Sequence, residues 1–384
     1  MATFDGYERP DGSIGIRNHV AILSVVTYSN TLARNVVAQV NGVIPVYNQH
    51  GRALKGDDKQ VQEETFAGVG RNPNVGGALV VGYTKQQVEP VLESIARTGK
   101  PVESTTILGQ GTPSATREAV RKATALTQEV SEVPMVEANI GDLVVGAECG
   151  GSDTTSGLAS NPATGRAMDT VIEAGGRGMF SESVEILGAE RDLINRAVDQ
   201  QTVDDIESLV DYVQERTREM GININESNPV KDNIEGGLTT IEEKSIGAIK
   251  KGGSKPIQSV LSYGETPREP GLHFMDTPAP AQESMTGMIA GGATVIVFST
   301  GNGNPSGTPI TPVIKVSGNP TTVDTMADHI DLDVSGVITD GMSLDEAGER
   351  VTETIAAVAN GRPVAAEMLG HREFGIKRVG QHIV

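Results

Sequence analysis

The run His19-Val-Ala-Ile-Leu-Ser-Val-Val26 is short, almost entirely apolar and rich in β-branched residues. Such runs are typical of strands that are buried on both faces of a parallel sheet. A helical pattern over residues 31–39 follows it, and two further runs continue the alternation, Val43-Ile-Pro-Val-Tyr47 and Gly77-Ala-Leu-Val-Val-Gly-Tyr83. Strands that alternate with helices indicate an α/β protein with mostly parallel sheets flanked by helices.

The alternation is interrupted by a polar stretch that ends in Pro134-Met-Val-Glu-Ala-Asn139. We therefore expect a boundary near residue 138, between a Rossmann-like N-terminal domain (residues 1–138) and a larger α/β domain (residues 139–384). In the second domain the apolar runs predict strands near residues 143–147, 259–263, 294–299, 313–316 and 332–338.

Charge and composition exclude several classes of protein. The chain carries 50 acidic and 31 basic residues, a net charge of −19, which argues against a nucleic-acid partner. No stretch approaches 18 apolar residues and the N-terminus lacks the features of a signal peptide, so we expect a cytoplasmic protein without a membrane partner. The acidity fits a salt-rich cytoplasm about as well as an ordinary need for solubility.

No nucleotide cofactor is expected, because the chain lacks a Walker-type phosphate loop. The glycine-rich run Thr300-Gly-Asn-Gly-Asn-Pro-Ser-Gly307 follows an apolar run but leads into prolines rather than a helix. A loop that approaches a small anion and a plain turn both fit it.

The densest group of polar candidates is Glu148-Cys-Gly-Gly-Ser-Asp-Thr-Thr-Ser-Gly157, followed by Asn161. It lies where the strand over residues 143–147 ends, and open α/β sheets bind ligands at such ends. We expect Ser152, Asp153 and Asn161 to bind the substrate. Cys149, the single cysteine, is either a metal ligand or active-site thiol, or a small buried apolar side chain.

Two further segments offer charged groups for chemistry. In Ser181-Glu-Ser-Val-Glu-Ile-Leu-Gly-Ala-Glu190 we expect Glu182 and Glu190 to bind a divalent metal together with Cys149, although helix-terminal charges explain them too. The second segment spans residues 233–247. In it Glu243 and Lys244 are candidates for the general base, with helix capping as the structural alternative. His50 is their competitor, because its ordinary pKa suits neutral pH better.

Three motifs make the chain resemble the altronate/galactarate dehydratase family. They are Pro10-Asp-Gly-Ser-Ile-Gly-Ile-Arg-Asn18, Cys149-Gly-Gly-Ser-Asp153 and Gly236-Gly-Leu-Thr-Thr-Ile-Glu-Glu-Lys-Ser-Ile-Gly247. The resemblance extends over almost the whole chain. Within the family, Gly70-Arg-Asn-Pro-Asn-Val75 and Leu369-Gly-His-Arg-Glu-Phe374 are most similar to the sulfolactate-cleaving branch.

Two departures separate the chain from altronate-type members. Those members tend to have a Gly-Pro-Gly-Asn-like turn where this chain has Thr277-Pro-Ala-Pro280, and a cysteine near the position of Tyr28. The resemblance therefore implies a lyase that eliminates sulfite from a small anionic 2-hydroxy acid. A sugar-acid dehydratase is the alternative, and a non-catalytic binding subunit is an alternative of another class.

The resemblance also implies a cofactor and a partner. The cofactor is a divalent metal of the Fe(II) type, with Mn(II) or Mg(II) as alternatives. The partner is a separate small subunit of about a hundred residues, a common domain size, in an oligomeric assembly. Because a sulfonate needs cationic or amide groups around it, Arg17, Arg52 and Lys244 are candidates for binding it, and we expect Asn18 to help bind the substrate too.

Overall fold

The computed structural model describes residues 2–380, which form three sheets covered by helices. The strands are β1 (Thr3–Glu8), β2 (Ile14–Gly15), β3 (His19–Ser24), β4 (Val43–Val46), β5 (Val75–Gly82), β6 (Val102–Thr106), β7 (Met135–Asn139), β8 (Val144–Gly150), β9 (Arg177–Ser181), β10 (Ile257–Leu261), β11 (Gly271–Met275), β12 (Val295–Thr300), β13 (Val313–Ser317) and β14 (Leu332–Asp333).

The helices lie between these strands and after the last one. They are α1 (Asn30–Val37), α2 (Gly56–Arg71), α3 (Lys85–Ala96), α4 (Gly111–Ser131), α5 (Asn161–Glu173), α6 (Glu190–Asn195), α7 (Gln200–Glu219), α8 (Ile224–Ser227), α9 (Lys231–Glu235), α10 (Ile241–Ala248), α11 (Ala281–Ala290), α12 (Pro320–Thr325), α13 (Gly336–Thr339), α14 (Leu344–Ala359) and α15 (Ala365–Leu369). None of the helices in the described part of the chain is long and apolar enough to cross a membrane.

A four-stranded parallel sheet forms the N-terminal part, in the order β4-β3-β5-β6. The apolar run that begins at His19 forms β3 in its interior. On one face Val20 and Ile22 belong to a core shared with α1 and α4, and on the other Ala21 and Leu23 share a core with α2 and α3. The sequence-based prediction of a Rossmann-like layered arrangement is therefore confirmed.

A seven-stranded parallel sheet forms the larger part, in the order β10-β11-β9-β8-β12-β13-β14. β8 lies between β9 and β12, so the carboxyl ends of these three strands are neighbours. In this register Cys149 lies opposite Ser299. The edge strand differs from the prediction over 332–338, because only Leu332–Asp333 pairs with β13 and the chain turns into α13 at Gly336.

The polar stretch before residue 139 is a strand and not an open linker. β7 pairs with β1 in antiparallel register, Thr3 opposite Asn139, and β2 completes a small third sheet. Because Phe4 and Ala138 alternate with exposed residues and reach the core of the larger part, pairing with β1 overrides the polar composition. The domain boundary near residue 138 stays a prediction.

The two parallel sheets are joined through α2 and α11. A Cβ atom on Gly68 of α2 would lie 2.3 Å from the carbonyl oxygen of Ala290, so only glycine permits this close approach. Beside it the Asn72 side chain donates to the carbonyls of Ile289 and Ala293 at 2.8 and 2.9 Å. These contacts join α2 of the N-terminal part to α11, which itself packs against β8 of the larger sheet.

Candidate active site and metal centre

Four buried side chains meet at the carboxyl ends of β8 and β9. Cys149 is the penultimate residue of β8, Glu182 directly follows β9, and Glu185 lies in the short helical turn Ser183–Ile186. Lys251 comes from the turn Ile249–Gly252, which continues α10. The site therefore forms where open parallel sheets bind ligands.

The backbone after β9 brings two carboxylates to one place. Glu182 has φ +82°, a left-handed conformation that non-glycine residues rarely adopt. The turn that begins there carries Glu185 three residues further on, so both carboxyl groups face Cys149. The Sγ atom of Cys149 lies 3.4 Å from Oε2 of Glu182 and 3.3 Å from Oε2 of Glu185.

Two lysines compensate the negative charge. The Nζ atom of Lys251 lies 3.1 Å from Sγ of Cys149 and forms an ion pair with Glu182, and both members of that pair are 1% exposed. The Nζ atom of Lys244 lies 2.9 Å from Oε1 of Glu185 and also donates to Oδ1 of Asn228. A buried carboxylate without such a partner would be strongly destabilising.

The pKa values of the cluster are shifted by burial and by these pairs. Burial, aided by Glu185, raises the pKa of Glu182 to about 7. Burial also raises the pKa of the Cys149 thiol well above its ordinary value. Burial opposes ionisation of Glu185 too, but the nearby ammonium of Lys244 holds its pKa below the ordinary value.

Burial favours the neutral form of both lysines, but neighbouring anions outweigh it. The ionised forms of Cys149 and Glu182 raise the pKa of Lys251, and Glu185 raises that of Lys244. Both lysines are therefore cations at neutral pH.

The donor set is chemically suited to a divalent metal. One ligand atom each from Cys149, Glu182 and Glu185 can be chosen so that all three lie within 4.8 Å of one another. Among the side chains that the structure describes, this is the one such group of cysteine, histidine and carboxylate residues. Sulfur combined with carboxylate oxygen suits Fe(II), Mn(II) or Zn(II) better than Mg(II). The cluster could therefore hold a borderline ion.

A cavity of about 330 Å³ lies beside the cluster, and Lys244 connects the two. Lys244 lines the cavity while its ammonium group contacts Glu185. The polar part of the lining includes Ser152, Asp153, Asn161 and Glu243, so four more of the residues predicted from the sequence meet here. The volume is within the range of small-molecule pockets.

Asp153 and Asn161 differ in the freedom of their polar atoms. Asp153 accepts from the Ser156 amide at 2.7 Å, the Thr155 hydroxyl at 2.7 Å and the Asn319 amide group at 2.8 Å, so both of its carboxylate oxygens already accept hydrogen bonds within the protein. Asn161 donates to the carbonyl of Gly247 at 3.1 Å, but its buried Oδ1 has no partner among the described residues. Asn161 can therefore accept a hydrogen bond from a ligand.

Known families match both parts of this fold. The model described as D-galactarate/altronate dehydratase, C-terminal, matches residues 140–382, and that of the second domain of D-galactarate dehydratase/altronate hydrolase matches residues 6–131. The chain belongs to the D-galactarate/altronate dehydratase family. The resemblance inferred from the motifs is thus confirmed.

Relatives match along almost the whole length of the chain. The (2R)-sulfolactate sulfo-lyase subunit beta of Chromohalobacter salexigens is 41% identical, with 98% of this chain and 97% of the relative covered. An altronate dehydratase of Bacillus subtilis is 28% identical (98% and 78% covered), and a galactarate dehydratase (L-threo-forming) of Escherichia coli is 31% identical (94% and 73%). Because these names denote sulfo-lyase and dehydratase activities, the prediction of a lyase is confirmed.

Two residues predicted for the metal or the base, Glu190 and Glu243, lie at the edge of the candidate site. Glu190 begins α6, where its Oε2 accepts from the Gly188 amide at 2.6 Å, and it is not part of the three-ligand group. Glu243 accepts from the amide and the hydroxyl of Thr239 at 2.8 and 2.6 Å, bonds that lower its pKa. The capping alternative considered for Glu243 is therefore present, although the same residue lines the cavity.

The remaining predicted residues lie outside the cavity lining. Arg17 pairs with Glu367, with two N–O distances of 2.8 Å, and Asn18 donates to the carbonyl of Val130. His50 lies in the loop after β4, where its amide donates to Asn48, and the guanidinium of Arg52 lies 5.1 Å from the ring centre of Tyr83. The structure does not bring these four side chains to the buried cluster.

Sequence reasoning missed three members of the site. Glu185 stands three residues after Glu182, a spacing that one helical turn converts into proximity. Lys251 follows Lys250 in Lys-Lys-Gly-Gly, a pattern that does not reveal which lysine is buried. Glu148 opens the polar group predicted from the sequence, but nothing in its local pattern reveals that its carboxyl group is fully buried.

Proposed function

We propose that this chain is the large catalytic subunit of a (2R)-sulfolactate sulfo-lyase, which converts sulfolactate into pyruvate and sulfite. The single observation that carries the proposal is the buried Cys149/Glu182/Glu185 cluster, which adjoins a polar cavity through Lys244. The 41% identity to a relative of that name supports this substrate over sugar acids, whose enzymes are 28–31% identical.

The proposed metal is Fe(II), with Mn(II) and Mg(II) as alternatives, held by Cys149, Glu182 and Glu185. Bound there, the ion would act as a Lewis acid that stabilises the enediolate form of the substrate carboxylate. Glu185 takes the place that the sequence suggested for Glu190, because Glu185 is the residue whose carboxylate reaches Cys149. Lys251 and Lys244 hold these carboxylates in place.

The cavity residues would bind and orient the dianionic substrate. Oδ1 of Asn161, which has no partner in the described part of the chain, accepts from the C2 hydroxyl. Ser152 donates to an anionic group, and Lys244 supplies a positive charge for the sulfonate. Because Lys244 stays protonated, Glu243 is the member of the pair that can accept the C2 proton. His50, Arg52, Arg17 and Asn18 belong to the N-terminal part and do not line the cavity, so they would have to move toward it to contact the substrate.

The reaction proceeds by loss of the C2 proton to the base, after which the C3–S bond breaks and its electron pair leaves with sulfite. The resulting enol takes up a proton at C3 and releases its hydroxyl proton, which gives pyruvate. Sulfite needs no proton to leave, whereas hydroxide does, so a sugar-acid dehydratase would need an additional acid near C3. That dehydratase remains the alternative activity.

We further propose that a separate small subunit of about a hundred residues completes the enzyme in the cytoplasm. The relative from Chromohalobacter salexigens is named as a subunit beta. Leu158 and Ile246 line the cavity and are 59% and 51% exposed, so its rim offers an apolar surface to such a partner.

The test is an assay of the chain, with and without its small subunit, on sulfolactate, altronate and galactarate, with metal content measured on the same samples. Sulfite release from sulfolactate alone supports the proposal. Turnover of a sugar acid instead would make the dehydratase correct. A chain that purifies without stoichiometric metal and shows no activity with any substrate would be a binding subunit.

A further inference from the structure

A chain of hydrogen bonds runs from the backbone of Glu182 into the interior. The amide of Glu182 donates to Oγ1 of Thr277 at 2.9 Å, and the Thr277 hydroxyl donates to Oγ of Ser284 at 3.0 Å. The Ser284 hydroxyl donates to Oε2 of Glu148 at 2.7 Å. Every donor points the same way, an order in which each bond polarises and strengthens the next.

All residues of this hydrogen-bond network are buried. Thr277 is 1% exposed, and both Ser284 and Glu148 are 0% exposed. The Ser181 hydroxyl lies 2.8 Å from Oγ of Ser284 and 3.3 Å from Oε2 of Glu148, so Oε2 is the common end of the network. Oε1 of the same carboxyl group has no partner among the described residues. A buried carboxyl oxygen without a partner costs free energy, and the hydrogen bonds to Oε2 offset part of this cost for Glu148.

Thr277 contacts two successive amides at a point where a non-glycine residue has a left-handed backbone. Its hydroxyl accepts from Glu182 and its carbonyl accepts from Ser183 at 3.0 Å. Glu182 is the residue with φ +82°, a conformation that persists only where the surroundings hold it. Without this conformation the Glu182 side chain would leave β9 in another direction and would not reach Sγ of Cys149.

We propose that Thr277 and Ser284, anchored on Glu148, are positioning residues that fix the left-handed backbone of Glu182 and so aim its carboxylate at Cys149. These residues touch neither the cavity nor the three ligand atoms, and act through Glu182 alone. The inference rests on the proposed function only in taking Glu182 as a metal ligand. The proposal also gives Ser284, the fourth residue of α11, a role in the site.

Thr277→Val tests the proposal, because valine keeps the shape of threonine and removes the hydroxyl. Thr277→Ser is the matched variant that keeps it. Thr311→Val is the control for the loss of a buried threonine hydroxyl elsewhere, since Thr311 is 2% exposed and donates to the carbonyl of Ala293 at 2.9 Å. Each variant is made in the full chain and examined by two measurements.

The first measurement is hydrogen exchange of the Glu182 amide, resolved by mass spectrometry of short peptides. Exchange should be slow in the wild type, in Thr277→Ser and in Thr311→Val, and fast in Thr277→Val. The second is titration with Mn(II) alone, in which Thr277→Val should lose about 10–100-fold in affinity, the usual effect of removing a residue that orients a ligand. Thr277→Ser should keep most of the affinity.

Equal behaviour of Thr277→Val and Thr277→Ser in both measurements would overturn the proposal. If Thr277→Val does not fold, Ser284→Ala takes its place, with Glu148→Gln as the variant that keeps an acceptor for Ser284. A wild-type chain that takes up no Mn(II) would contradict the proposed metal centre. The exchange measurement would still decide whether the hydrogen bonds from Thr277 and Ser284 hold the backbone of Glu182 in place.

Discussion

The ammonium nitrogen of Lys251 lies 3.1 Å from the Sγ atom of Cys149, in a place that solvent does not reach. The same nitrogen pairs with the carboxylate of Glu182. A fully buried cation therefore contacts two of the three candidate metal ligands. It supplies the positive charge that allows a thiol and two carboxylates to be packed together.

Lys251→Met should destabilise the metal-free protein by about 3–5 kcal/mol, because it leaves the buried carboxyl group of Glu182 without its partner. Denaturant unfolding at pH 8 in the presence of a chelator measures the change. Lys250→Met is the control, since Lys250 is exposed and its loss should cost no more than about 0.5 kcal/mol. The double variant Lys251→Met/Glu182→Gln should recover part of the loss, and equal stability of Lys251→Met and wild type would contradict the charge pairing.

A second prediction separates Glu185 from Glu190 as the metal ligand. Glu185→Gln and Cys149→Ala should each lower affinity for Mn(II) or Fe(II) at least about tenfold, while Glu190→Gln should leave it unchanged. The reason is geometric, because Glu185 reaches Cys149 and Glu190 instead accepts from the Gly188 amide. Metal content after dialysis measures the outcome. Loss of metal from Glu190→Gln but not from Glu185→Gln would restore the ligand set suggested by the sequence.

The pH dependence of stability gives a third prediction. In the folded, metal-free chain burial raises the pKa of Glu182 from its ordinary 4.5 to about 7. Between these values the folded state binds more protons at Glu182 than the unfolded state, so stability falls as pH rises from 4.5 to 7. The stabilising contribution is complete below pH 4.5 and is lost through pH 7.

Glu182→Gln should remove this slope, because glutamine does not titrate. The free energies of unfolding of the wild type and of Glu182→Gln are measured at several pH values with a chelator present. Their difference gives the contribution of Glu182 to stability at each pH. A wild-type stability that rises relative to Glu182→Gln across this range would show that Lys251 dominates and that the pKa of Glu182 is lowered.

The layered fold could be predicted because its signal is local. The apolar run that becomes β3 and the helical pattern over residues 31–39 that becomes α1 are each visible within a single short segment. The strand β7 could not be recognised, because its composition is polar and its stability depends on pairing with β1, about 130 residues away along the chain. Long-range pairing of this kind leaves no periodic trace that a single segment reveals.

The candidate site was predictable in part for the same reason. Cys149 and Glu182 stand at strand ends, where fold class alone places ligands. Lys251 and Glu185 become functional candidates only when two short turns bring them to those strand ends. Arg17 stays a prediction: it was proposed as a cation for the sulfonate, and in the structure its guanidinium pairs with Glu367.

A fourth prediction concerns the base. Glu243→Gln should slow exchange of the C2 hydrogen of sulfolactate with solvent deuterium by about 10²–10⁴-fold, the usual contribution of a positioned general base. Lys244→Met should retain exchange and lose sulfite release, because Lys244 is the cation proposed to hold the leaving group. Proton NMR of the substrate in deuterated buffer follows the exchange. Wild-type exchange in Glu243→Gln together with its loss in His50→Gln would transfer the role to His50.

The last prediction concerns the partner chain. The isolated large subunit should bind metal but turn over poorly, because an open cavity leaves the enediolate in contact with water and weakens electrostatic stabilisation. A subunit that covers the cavity should raise kcat more than it lowers KM, since it completes the site rather than simply adding affinity. Titration of the purified small subunit into the assay measures both constants.

The rim of the cavity provides the sharpest form of that test. Leu158→Glu places a charge on an apolar side chain that is 59% exposed at the cavity, and it should weaken activation by the partner while leaving metal content unchanged. Leu108→Glu is the matched control, because Leu108 is 57% exposed but lies after β6 in the N-terminal part. Equal activation of both variants would show that the partner binds elsewhere. Full activity of the wild-type chain alone, unchanged by the partner, would instead show a self-sufficient enzyme and make the two-subunit proposal wrong.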